Sequence, residues 1–160
     1  MVSSATTDHP FVDPLCHRLQ AAAMFATAWK LLNLPLRSSE QDVALLLAAH
    51  AYEHHASLIG DDEAPVRGAL LLARVHLALG KPQPALEDAR SAARRCRGTT
   101  VCGCLRVEAQ LAAVRAAQAA GLMSDANHHR QLAITSLSRL TSDPSRVRLE
   151  RELEALATHS

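Results

Sequence analysis

Leu72-Ala73-Arg74-Val75-His76-Leu77-Ala78-Leu79-Gly80-Lys81-Pro82-Gln83-Pro84-Ala85-Leu86-Glu87-Asp88-Ala89-Arg90-Ser91-Ala92 contains the end of one helix, a turn and the start of another. Gly80 ends the first helix, because glycine takes the left-handed conformation in which many helices close. Pro82 and Pro84 sit where prolines are tolerated, in a first turn whose N–H groups have no partner inside the helix. Ala85, Ala89 and Ala92 are spaced by four and then three residues, which puts them on one helix face and lets a partner helix come close. The stretch is a helical hairpin.

The same pattern recurs on both sides. Ala85, Ala89 and Ala92 are answered by Ala44, Ala48 and Ala51 upstream and by Ala126, Arg130 and Ala133 downstream. The offset is 41 residues each time, from 44 to 85 and from 85 to 126, and Gly80 and Gly121 share it. Other breaks divide the rest of the chain. Asp13-Pro14 opens a helix that runs to about Asn33; Ser38 or Ser39 caps a second, which ends at Gly60-Asp61. Further helices are expected over about 64–79, from Pro82–Pro84 to about Arg97, over about 102–120, and from a Ser124 or Asp125 cap to about Leu140. Ser142-Asp143-Pro144 opens a charged last helix that ends near Ala157. Connections of a few residues make neighbouring helices antiparallel. The expected architecture is one all-α domain over 1–160, with hairpins at about 13–60, 64–98 and 101–141 and a capping helix at about 144–157.

This pattern of a Leu-Ala step, a small turn residue and alanines along a second helix resembles the tetratricopeptide repeat (TPR). The second unit carries the likeness best. Ala113-Val114, Ala117, Gly121, Ala126 and Ala133 carry it in the third, and Phe25-Ala26, Trp29 and Asn33 in the first. The usual bulky aromatics are replaced by Ala69, His76 and Ala89, and the period exceeds the family's roughly 34 residues by seven, about two helical turns. The resemblance implies a TPR-like α-solenoid in which the first helix of each pair lines a concave groove and the final helix caps the open end. Its groove positions fall on Gln20, Ala23, Thr27 and Lys30, then Arg67, Leu70, Arg74 and Leu77, then Glu108, Leu111, Arg115 and Gln118. Arg74 and Arg115 are equivalent, as are Leu70 and Leu111. Such a groove would suit another protein's acidic, amphipathic segment; the alternative is that these arginines are solvated helix faces. The carboxylate clamp of chaperone-binding members is not recognisable.

Composition narrows the function. Hydrophobic residues make up 48% of the chain but aromatics only 2%, a mixture that suits closely packed helices and not sheets. A net charge of +1 provides no field for nucleic acid or an anionic membrane. The start of the chain has no basic and apolar leader and no window is long enough to span a bilayer, so the cytoplasm is the expected compartment. The run Arg90, Arg94, Arg95, Arg97 lacks the interleaved aromatics of a nucleic-acid binder.

Two clusters hold chemistry in reserve. His50 and His54 stand one helical turn apart, and such a pair can ligate a metal, although Glu53 is not where a zinc protease needs it. Cys96, Cys102 and Cys104 could hold a soft metal or undergo redox change beside Arg94, Arg95, Arg97 and Arg106. The commoner fates are surface histidines and small buried cysteines. His128-His129 is expected to be exposed. No nucleophile with its base, glycine cradle or paired carboxylates is evident, so no enzyme activity and no cofactor are expected. The expected function is an adaptor or chaperone that binds a protein segment. The alternatives are a metal- or redox-responsive protein using His50/His54 or the Cys96–Cys104 cluster, and self-association into a homo-oligomer.

Overall fold

The computed structural model describes residues 13–97, 100–141 and 144–157. Among them every regular element is an α-helix: α1 Pro14–Leu32, α2 Ser39–Ser57, α3 Glu63–Ala78, α4 Pro82–Arg95, α5 Gly103–Ala119, α6 Met123–Ser138 and α7 Arg146–Ala157. None is long and apolar enough to cross a membrane.

The breaks act as their chemistry requires. The Asp13 carboxylate accepts from Leu15 N at 2.9 Å. Ser38 and Gln41 close a reciprocal capping box on α2. Gly80 and Gly121 take φ of 67° and 72°. Behind them Lys81 N donates to His76 O and Leu122 N to Ala117 O, both at 2.8 Å. These are two copies of the six-to-one closure of a left-handed helix end. Two starts differ from expectation. Helix α3, expected from about Ala64, starts at Glu63, and Asp61 accepts from Glu63 N and Ala64 N at 2.8 and 2.6 Å. The α6 N-cap is Leu122, without a side-chain cap bond, because Asp125 instead takes Arg90 of α4 at 2.6 Å. Ser142 and Asp143, expected to open the last helix, lie outside the described residues.

Successive helices from α1 to α6 pack on one another, α3 also packs on α5, and α7 packs on α5 and α6. The core is a chain of clusters. One joins Ala28, Leu45, Ala49 and Val75; the next two join α3 to α4, α5 and α6; the last joins Val107, Leu111, Leu137 and Leu149. Small side chains set the spacing. A Cβ on Gly68 would stand 3.0 Å from Glu53 Cα, so α2 and α3 touch nearly backbone to backbone there.

The register of the first unit needs correcting. Ala85 and Ala126 are fully buried at their 41-residue offset, but Ala44 is exposed. Burial in α2 follows Leu45, Ala49 and Ala56 with half-buried Tyr52, matching Ala85, Ala89, Cys96 and Ala92 at an offset of 40. Leu45 and Tyr52 decide this, since they gain more by leaving water than Ala44 and Ala51.

Candidate functional site

A cavity of about 1060 Å³ runs along the molecule between α1, α3, α5 and α7. It exists because these four helices do not pack evenly. The backbones of α3 and α5 pack, as do those of α5 and α7, but α1 packs on α2 and stands off from α3. The gap is lined by side chains of unusual character for this sequence. Three of its four aromatic residues meet there. Phe25 and Trp29 stack with ring centroids 5.9 Å apart, and Phe25 lies 5.5 Å from Tyr52 of α2. Arg74 reaches from α3 to place its guanidinium carbon 5.1 Å from the centre of the Trp29 ring, a cation–π contact. Phe25 and Trp29 remain 41% and 43% exposed.

Charge is arranged along the same groove. Arg18, Arg67, Arg74, Arg115 and Arg148 line it against Asp61, Glu108 and Glu152. The acids are concentrated at the α7 end. Glu152 accepts from Arg115 and Arg148, each at 2.8 Å, and Arg148 also holds Glu108. Burial raises the Glu152 pKa, but the bonds from the two arginines outweigh it and the net shift is downward. Arg74 faces the aromatic wall, and neither it nor Arg18 has a carboxylate partner among the described residues.

The expected groove residues divide three ways. Arg67, Leu70, Arg74, Leu77, Glu108 and Arg115 line the cavity. Leu111 does not: it is fully buried beneath Leu149, so it differs from Leu70, its equivalent on α3. Gln118 instead donates to Leu156 O at 2.9 Å, because α7 covers that end of α5. On α1, Gln20, Ala23, Thr27 and Lys30 are exposed but stand outside the cavity, whose wall is Arg18, Ala21, Ala22, Phe25 and Trp29. The signal for this face was the pair of aromatics four residues apart in a chain that has almost none.

The histidines and cysteines are dispersed. His50 faces His76, whose Nδ1 is 2.6 Å from the Asp88 carboxylate, whereas His54 packs on His55. His55 Nδ1 lies 3.0 Å from His17 Nδ1, so His50 and His54 have different neighbours. His129, expected at the surface, is buried and bonds Gln110 at 2.8 Å; His128 is exposed. Cys96 is buried, and burial pushes its thiol pKa up. Cys102 and Cys104 are half-buried with sulfurs 2.7 Å apart. Among the described residues no group of three or more His, Cys, Asp or Glu side chains is placed to hold a metal ion. Compared with models of known protein families, with curated proteins and with solved structures, the chain matches none.

Proposed function

We propose that the protein is a binding module that holds an acidic, amphipathic segment of another protein in the groove between α1 and α3. The observation that carries this reading is the meeting of Phe25, Trp29 and Tyr52 with Arg74 in an otherwise aromatic-poor chain. Large aromatic side chains left in an open cleft offer a partner apolar area at small entropic cost, and an arginine beside them offers a carboxylate partner. The proposal includes the finer architecture: TPR-like hairpins with α7 as their cap. Such a module would serve as an adaptor or chaperone in the cytoplasm.

Trp29 is the chain's only tryptophan, so its emission reports on the groove alone. A tryptophan-free amphipathic peptide with glutamates on its polar face should change that emission saturably. Its lysine counterpart should not. Arg74→Glu should weaken the acidic peptide by at least about tenfold while circular dichroism shows intact helices. Equal binding of both peptides, or an acidic peptide that binds without perturbing Trp29, would remove the groove from the function.

A further inference from the structure

We propose that Cys102 and Cys104 form a reversible dithiol–disulfide couple that exchanges with small disulfides. Their Sγ atoms are 2.7 Å apart, closer than the roughly 3.5 Å at which even non-bonded carbons settle, and about 0.7 Å longer than a disulfide bond. Gly103 between them packs against Leu140, whose Cδ2 a Cβ at this position would meet. The pair stands at the head of α5, Cys102 as its N-cap and Cys104 in its first turn.

Position assigns the two roles. Cys102 is the N-cap of α5, where serine or aspartate would normally accept from the first-turn N–H groups, and α5 has no side-chain cap bond. Cys102 thus stands at the end of α5 whose first-turn N–H groups no side chain caps, whereas Cys104 lies inside the helix. Glu63 of α3 accepts from Cys102 N at 3.0 Å and is itself paired with Arg67 at 2.7 Å. Arg106, on the next turn of α5, donates to Val101 O beside the pair. Cys96 is buried in the adjoining cluster, with a thiol held in its protonated form.

The exchange balances with a glutathione-type disulfide as oxidant. The Cys102 thiolate attacks one sulfur of the disulfide, the S–S bond breaks, and one thiolate leaves and takes up the proton that Cys102 lost. The Cys104 thiol then gives up its proton and attacks Cys102 Sγ in the mixed disulfide. The Cys102–Cys104 bond forms and the second thiol leaves. The protein loses two hydrogens and the oxidant gains them.

The wild-type chain should be equilibrated in mixtures of reduced and oxidised glutathione, trapped by alkylation and mapped by peptide mass spectrometry. The expected product is a monomer that has lost two hydrogens, with Cys102 linked to Cys104 and with Cys16 and Cys96 alkylated. Cys104→Ser should accumulate glutathione on Cys102, and Cys102→Ser should leave Cys104 largely unmodified. A Cys96–Cys102 link, glutathione retained on the wild-type pair, or reaction only above the melting temperature would each overturn the proposal.

Discussion

Arg74 on α3 and Arg115 on α5 lie 41 residues apart, but among the described residues only Arg115 has a carboxylate, Glu152 at 2.8 Å. Arg74 has an aromatic face instead, so Arg74→Ala should change Trp29 emission and cost stability only about 0.5–1 kcal/mol. A loss of several kcal/mol on urea unfolding would instead make Arg74 a core residue. His129 gives a second residue-level expectation. Burial first, then His128 and Arg90, hold its pKa below the ordinary 6.5, against the pull of Asp125. The unfolded chain therefore binds this proton more readily than the folded one. Stability is full above about pH 6.5 and falls as pH drops from there toward the depressed folded value. His55, held down by burial and by His17 and His54, adds to the same slope. His129→Gln should narrow the difference between melting temperatures measured at about pH 7.5 and pH 5.5; an unchanged difference would show that this imidazole does not set the slope. Neither setting was legible in the sequence: Trp29 and Gln110 lie far from Arg74 and His129 along the chain, and only folding brings them together.

At the scale of the elements, the sequence was most readable where a single residue type has one physical solution. Gly80 and Gly121 ended their helices because their positive φ favours glycine, and Asp13-Pro14 and Ser38 opened theirs. It was least readable in the alanine-rich faces. Ala44, Ala48, Ala49 and Ala51 give almost no rotational preference, so the register of α2 rests on Leu45 and Tyr52 and falls one residue from the alanine repeat. The close approach of α2 and α3 predicts that Gly68→Ala is destabilising although alanine favours helix. Its Cβ meets Glu53 backbone and side chain at 3.0 Å, and Glu53 is itself held by Arg95 at 2.8 Å. Overpacking of about 1–3 kcal/mol against a helix gain of about 1 kcal/mol leaves a net loss of about 1 kcal/mol. A gain in the denaturant midpoint would mean that the two helices separate freely. Leu149 is the apolar anchor of α7, fully buried against Val107, Leu111 and Leu137. Leu149→Ala should cost about 2–4 kcal/mol, whereas loss of the half-exposed Arg148 pairs should cost under about 1 kcal/mol. The reverse order would make α7 an electrostatically held cap.

For the molecule as a whole, the core passes from cluster to cluster and no single centre ties both ends together, so stability should vary along the chain. Helix α5 packs on α3, α4, α6 and α7 and buries eight residues; α1 packs on α2 and buries only Ala21 and Ala28. Amide hydrogens of α1 and α7, which buries only Leu149, should therefore exchange faster than those of α5. The same asymmetry sets what binding does. A segment seated between α1 and α3 would touch Phe25 and Trp29 on one side and Leu70 and Arg74 on the other, supplying the contact that α1 lacks. Because it binds only while α1 is folded, it should slow exchange in α1 more than in any other helix, by a factor that grows with peptide concentration. Hydrogen exchange followed by mass spectrometry, with and without the acidic amphipathic peptide, measures both at once. Slow α1 exchange in the free protein would mean that the gap to α3 is no weakness of the fold. Protection confined to α6 and α7 would put the binding surface at the capped end, where Arg115 and Arg148 already have their carboxylates.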